Sequence, residues 1–354
     1  MKQRLLKVSF MCMAMALLPL TTHASDEIEI NATNFPDDNF RNYLLEQEYG
    51  KDGKLTKAEI ENVNKLDVVG KNISSLQGIE YFTALATLNC SNNQLTALDV
   101  SRNIILRSLG CYKNRLTALD VSKNAKLINL YCYDNQLTTL DVSECVALEK
   151  LYCYSNQLTV LNVSKSIALT SLWCEKNLLT TLDVSECTAL TSLRCYNNQL
   201  TSLDVSRNVK LGSLNCSNNQ LTALDVSKHT ILGSLDCSNN QLTALDVSKN
   251  TALNTLYFHC NQIKGTSMDN LINSLPTNNN ADSFFELYVY SSVNPNEGNV
   301  CTKEQVLAAE EKGWRVWCEI DAYGGWTYYE GSDDTPSNVN DIRTETGQDA
   351  PVYD

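Results

Sequence analysis

The stretch Leu85-Ala86-Thr87-Leu88-Asn89-Cys90-Ser91-Asn92-Asn93-Gln94-Leu95-Thr96-Ala97-Leu98-Asp99-Val100-Ser101 returns almost unchanged as residues 106–122, and again from Leu127, Leu148, Leu169, Leu190, Leu211 and Leu232. Cysteine recurs at 90, 111, 132, 153, 174, 195, 216 and 237, and asparagine at 93, 114, 135, 156, 177, 198, 219, 240 and 261. A spacing of 21 residues held this strictly marks a chain built from stacked coils. Within one coil, Thr87 to Ser91 alternates polar and apolar, as a half-buried strand does. Leu88 and Cys90 point inward; Thr87, Asn89 and Ser91 point outward. One such strand cannot bury its own face, so successive strands must stack into a parallel sheet over a shared leucine core. Asn93 falls where the chain turns, and its amide can bond the backbone of that turn and of the neighbouring coil. Leu95, Leu98 and Val100 form the opposite wall in short extended or turn-like pieces. Asp99 and Ser101 are turn formers, and 21 residues are too few for a long helix there.

The period lies within the range of leucine-rich repeats. The expected fold is an α/β solenoid: a horseshoe or arc with a parallel β-sheet on its concave face, a small helical N-terminal cap and a βαβ-like C-terminal cap. About ten coils span 65–263. The periodic cysteines take an inward position that Phe258 fills in the last full line, so they read as buried free thiols used as small hydrophobes. Neighbouring strands would not forbid a disulfide by distance. An unbroken column of equal neighbours nevertheless argues against specific pairs. Cys145 and Cys187 share a repeat position two coils apart, beyond bridging distance. A bridge between Cys301 and Cys318 stays open.

Outside the repeats, Lys2, Arg4 and Lys7 precede an apolar run from Val8 to Leu20, followed by Thr22-His23-Ala24. This reads as a cleavable export signal over 1–24. Residues 25–64 read as a helical cap. In it Lys51-Asp52-Gly53-Lys54-Leu55 resembles the second half of an EF-hand loop, with Glu48, Asp52 and Glu59 as weak calcium candidates. Too few hard oxygen ligands remain for a full calcium loop. In the closing cap, 264–330, a helix from Met268 to Leu275, a strand Phe285–Tyr290, a helix opened by the capping box Thr302…Gln305 and a strand from Trp314 are expected. Residues 331–354 read as a disordered tail.

The chain carries a net charge of −13, and loss of the signal's three bases leaves 25 Lys and Arg against 41 Asp and Glu. That balance repels phosphate backbones and argues against nucleic acid. After Leu20 no second apolar stretch is long enough to span a membrane. Catalytic machinery is not expected. No cofactor motif appears; the aspartates of the repeats are scaffold; and His229 stands at a turn position that elsewhere holds Asn103, Asn124 or Asn250, where it reads as a solvated variant.

The outward strand positions are small or polar at one end of the stack and near the other, with Tyr257 and His259 at the last coil. In the middle they become Tyr112, Tyr131, Tyr133, Tyr152, Tyr154, Trp173, Arg194 and Tyr196, with Lys150 and Glu175 beside them. Tyr, Trp and Arg anchor interfaces; stacked tyrosines can also merely stabilise a sheet through neighbour pairs. Confinement of the aromatics to five or six adjacent coils favours binding. A protein partner, host or bacterial, and a glycan partner both fit.

The repeat LxxLxCxxNxLTxLDVSxNxx, the FPDDNF segment and the EGNVCTKEQV segment resemble the cysteine-containing leucine-rich repeats of surface and secreted proteins of Bacteroidota, and more distantly the internalins. The resemblance covers roughly 35–320. It implies adhesion or protein binding by a non-enzymatic protein, secreted or on the outer surface of a Gram-negative bacterium. It also implies that the segment from Asp341 to Asp354 is the start of a C-terminal sorting signal, here cut short.

Overall fold

The computed structural model describes residues 27–280, 284–320 and 325–332. The signal reading over 1–24 and the tail from 333 onward lie outside them. The described residues form one 13-stranded sheet with a short two-stranded pairing on the opposite wall and another in the N-terminal cap. Ten repeat strands, Lys65–Asp67 to Thr255–Tyr257, pair in parallel with a leucine opposite a leucine at every step, from Leu66↔Leu88 to Leu235↔Leu256. This is the leucine-rich-repeat solenoid anticipated from the period. Each strand is only three residues long, because the polar–apolar alternation lasts no longer before the turn.

The leucines of both walls are buried, and all eight periodic cysteines are fully buried free thiols. Phe258 continues their column, also fully buried. Burial pushes the Cys111 thiol up to about 12 and its neighbours well above their usual value. The thiolate, the reactive form, is therefore suppressed. Cys301 and Cys318 are free and buried too, as are Cys145 and Cys187.

What locks one coil to the next is the asparagine column. Asn135 Nδ2 donates to the carbonyls of Cys111 in the preceding coil and of Cys132 and Tyr133 in its own, while its Oδ1 accepts from Leu116 N–H. The same set recurs at every step. The residue just before each of these asparagines is left-handed, with φ near +52° at Lys113, Asp134, Ser155 and Asn197. Periodicity alone did not reveal this twist. It occurs at residues as unlike as Lys, Asp and Ser, so the register of the asparagine imposes it.

A second polar column lies on the opposite wall. Asn124 Nδ2 donates to Val100 O and Asn103 O, and Asn208 and Asn250 repeat the pattern. His229 belongs to this column, which corrects the solvated reading. It is 1% exposed, with Nδ1 3.2 Å from Val226 O and Nε2 3.1 Å from Val205 O. Cys145 and Cys187 occupy the same column and send their thiols to Val121 O and Val163 O. Ser166 is too short for it: its buried hydroxyl has no partner. Ser166→Asn should therefore gain the two carbonyl bonds of Asn124 while exchanging the orphaned hydroxyl for an Oδ1 as unpartnered as those of Asn103, Asn124, Asn208 and Asn250, and raise stability by about 1 kcal/mol. Chemical unfolding measures this, and an unchanged or lower midpoint would mean that the coil cannot admit the amide. Beyond this column, the repeat aspartates from Asp99 to Asp246, and Asn162 in their place in one coil, accept from the N–H of the serine two residues later, closing the turns.

In the N-terminal cap, helix α1 (Asp38–Glu46) is capped by Asp37, whose second oxygen accepts from Ser74 N–H and Oγ and so ties the cap to the first coil. A short antiparallel pair, Glu27–Glu29 with Lys54–Thr56, was not foreseen. Glu59 serves in the capping box of α2 (Lys57–Asn62), Asp52 accepts from Lys54 N–H, and Glu48 pairs with Lys51. The three weak calcium candidates thus have separate structural partners. Among the described residues no group of His, Cys, Asp and Glu is placed to hold a metal.

At the far end, α3 (Thr266–Ser274) precedes Phe285–Ser291, and α4 (Lys303–Glu310) links that strand in parallel to Trp314–Glu319. A last strand, Trp326–Tyr328, adds an antiparallel edge that had not been anticipated. No helix among the described residues is long and apolar enough to cross a membrane.

Candidate functional site

The face of the sheet turned away from the core carries three columns of side chains. Parallel pairing in register puts equivalent residues of successive coils about 4.8 Å apart. The middle column runs Asn89, Gly110, Tyr131, Tyr152, Trp173, Arg194, Asn215, Asp236 and Tyr257. The residue after each periodic cysteine supplies the third: Ser91, Tyr112, Tyr133, Tyr154, Glu175, Tyr196, Ser217, Ser238. All eight residues singled out from the sequence stand in these two columns, and all are half-buried.

A repeat of 4.8 Å is close to the thickness of a ring, so the rings stack. Tyr112–Tyr133 and Tyr133–Tyr154 lie 4.4 and 4.3 Å apart and within 10° of parallel. Tyr152 stacks on Trp173 at 4.1 Å, and the Arg194 guanidinium sits 4.1 Å from the Trp173 ring centre. Tyr131 is tilted against Tyr152 at 5.2 Å. The stack axis runs along the solenoid, so ring faces cover one another and ring edges point outward. The flat ring faces on which a sugar ring could lie are therefore largely occupied.

Burial, with the neighbouring phenols of Tyr154 and Tyr112, holds Tyr133 well above its usual value. The stack adds stability independently of any partner. A double-mutant cycle with Tyr133→Ala and Tyr154→Ala should give a coupling of about 1 kcal/mol in unfolding. A coupling indistinguishable from zero would mean that the rings do not support each other.

Glu175 was read only as a neighbour of the aromatics. It replaces a tyrosine in the third column, between Tyr154 and Tyr196, and they roof it over. It is 3% exposed, and its Oε2 has no hydrogen-bond partner, like Trp173 Nε1 beside it. Burial pushes its carboxyl up to about 7, opposed by Arg194 and Lys176. The sequence signal was available: a single acid interrupts the run of tyrosines at 112, 133, 154 and 196. The polar ends also differ from expectation. Ser91, Ser217 and Ser238 are on the outward side but buried, their hydroxyls donating to Asn89, Asn215 and Asp236.

The closing cap continues the face from Tyr257 and His259 of the last coil with a second aromatic group, whose cap members were missed from the sequence. Tyr257 stacks on Tyr288 at 3.9 Å, Trp317 stacks on Tyr328 at 4.5 Å, and Trp326 packs edge-on against Tyr288 and His259. His259 is 7% exposed, and burial lowers it to about 4. Tyr288 and His259 are buried in this group, while Tyr257, Trp317, Trp326 and Tyr328 stay half-buried.

No protein-family model matches the chain, and no curated protein matches it. Solved structures do. The functional domain of InlJ from Listeria monocytogenes, which includes a cysteine ladder, is 29% identical at a TM-score of 0.57, with 82% of this chain and 75% of that one covered. The internalin InlF, also from Listeria monocytogenes, is 21% identical at 0.52, with 85% and 99% covered. The leucine-rich-repeat ectodomain of a plant membrane receptor kinase from Arabidopsis thaliana is 17% identical at 0.57, with 75% and 36% covered. In fold this chain is similar to internalin-type leucine-rich-repeat proteins, one of which shares its ladder of cysteines.

Proposed function

We propose that the protein is an exported, non-enzymatic binding protein that engages a protein partner through Tyr112, Tyr131, Tyr133, Tyr152, Tyr154, Trp173, Arg194 and Tyr196. The observation that carries this reading is their grouping. Large aromatic and guanidinium side chains, half exposed, occupy five adjacent coils; the equivalent positions on either side hold Ser, Asn, Thr or Asp until Tyr257 and His259 of the last coil, which pack against rings of the closing cap. A need for sheet stability alone would distribute such rings along the whole stack. The leader-like residues 1–24 and the resemblance to surface proteins support display outside the cell, at the outer surface of a Gram-negative bacterium. Mutual stacking of the rings favours a protein over a glycan, because a sugar needs an open ring face.

Arrays of purified extracellular proteins and of glycans, probed with wild type and with a Tyr133→Ala/Tyr154→Ala/Trp173→Ala variant of verified fold, test this. A protein bound by wild type and lost by the variant supports the reading. Binding that the variant retains in full removes the aromatic face from the function, and a glycan lost by the variant replaces the protein by a sugar.

A further inference from the structure

The aromatic coils carry a charge that the rest of the molecule does not. Their sheet-side segments (residues 106–115, 127–136, 148–157, 169–178 and 190–199) hold six bases, Arg107, Lys113, Arg115, Lys150, Lys176 and Arg194, against three acids, on a chain of net charge −13. Every base but Arg194 is exposed, whereas one of the acids, Glu175, is covered by its neighbours. The rings between these bases present their edges. The edge of an aromatic ring is the positive pole of its quadrupole, and the face the negative one. Phenol hydroxyls, ring edges, ammonium groups and the Arg194 guanidinium therefore offer positive potential or hydrogen-bond donors in one direction.

Resting on the binding role proposed above, we infer that this face receives an acidic, extended segment of a partner polypeptide, its carboxylates seated among Lys113, Lys150, Lys176 and Arg194. Five coils span about 19 Å, the length of roughly six residues of extended chain. The four cations are spread over four of the five coils and so match a run of side chains better than a single anion. A polypeptide suits the face better than an acidic polysaccharide, because the ring faces on which pyranose rings would lie are taken by neighbouring rings.

The test is fluorescence anisotropy of the full chain with labelled poly-L-glutamate, poly-L-lysine, a neutral Gly-Ser peptide and polygalacturonate. Two charge-matched variants accompany wild type: Lys150→Glu/Lys176→Glu on the face and Lys228→Glu/Lys249→Glu on the opposite wall. All four lysines are exposed, so both variants should fold, and circular dichroism checks this. Wild type should bind poly-L-glutamate in spite of its own negative charge. The face variant should weaken that binding by about tenfold or more, with a reduced salt dependence, while the wall variant stays within about twofold. The inference is overturned by failure to bind poly-L-glutamate, by equal loss in both variants, by preference for poly-L-lysine, or by polygalacturonate binding more tightly than the acidic peptide. If an array partner is lost by the aromatic variant while poly-L-glutamate fails to bind, the face keeps its role and only the acidic character of the partner falls.

Discussion

Asn177→Asp is expected to destabilise the solenoid by about 4 kcal/mol, from the loss of three buried hydrogen bonds and the burial of a charge. Asn177 sits in the central coil, 5% exposed. Its Nδ2 donates to Cys153 O at 3.1 Å, Cys174 O at 3.0 Å and Glu175 O at 3.2 Å, and its Oδ1 accepts from Leu158 N–H at 2.9 Å. Aspartate has nearly the same shape and keeps the acceptor. It turns the three donations into contacts between a carboxylate and carbonyl oxygens, or takes up a proton that can serve only one of them. Asn177→Ala should cost less, about 3 kcal/mol, because it leaves polar backbone unpaired without adding charge. Each coil touches only its neighbours, so a fault in the middle also uncouples the two halves. The unfolding transition should therefore broaden or split as well as shift. Asn197→Asp is the control: exposed, left-handed and outside the column, it should change stability by less than about 0.5 kcal/mol. Equal midpoints for Asn177→Asp and wild type would mean that the asparagine column does not hold the coils together.

The repeat made this column legible. An inward leucine every 21 residues, followed by an asparagine at a fixed offset, leaves little freedom in how coils stack, and the asparagine bonds follow from the need to pair the turn's backbone. The free thiols were legible for the same reason, since Phe258 marks their position as apolar. Other features depended on what lies one coil away. His229 looked like a surface residue because its own line of sequence is a polar turn; only the carbonyls of Val205 and Val226 show that it fills an asparagine's place. The ring stacking was implicit in 21-residue spacing combined with strand separation. Its consequence, rings presenting edges instead of faces, needed their orientation. The antiparallel strand Trp326–Tyr328 and the cap rings Tyr288 and Trp317 lie outside the repeat, where the period has nothing to say.

Stability should be greatest near pH 4–5 and fall by about 3 kcal/mol on going to pH 7.5, a net figure from two acids and one base that burial shifts in opposite senses. Burial raises the carboxyls of Glu175 and Glu297 to about 7, the latter in spite of three N–H donors from Cys260, Ser291 and Asn299. In the unfolded chain such carboxyls lose their protons near 4.5. Their contribution is therefore fully present below that pH and disappears as pH rises through 7, at about 3 kcal/mol each. Asp236, also raised by burial, acts in the same sense. His259 opposes them. Burial lowers it to about 4, so between 4 and 6.5 the unfolded chain takes up a proton that the folded chain refuses, and stability rises with pH by about the share of one glutamate. Below the usual carboxylate range the turn aspartates take over. Hydrogen bonds from the following serines hold Asp120, Asp183, Asp204, Asp225 and Asp246 below their ordinary value, and that support is lost as they protonate. Glu175→Gln isolates one contribution. It should leave stability at pH 4.5 nearly unchanged, raise it by about 2–3 kcal/mol at pH 7.5 and flatten the profile between. Urea unfolding of both proteins from pH 3.5 to 8 reads this directly. A glutamine variant less stable than wild type at pH 7.5 would show that Glu175 is held as a charged, paired group, and that the roof of tyrosines does not exclude water from it.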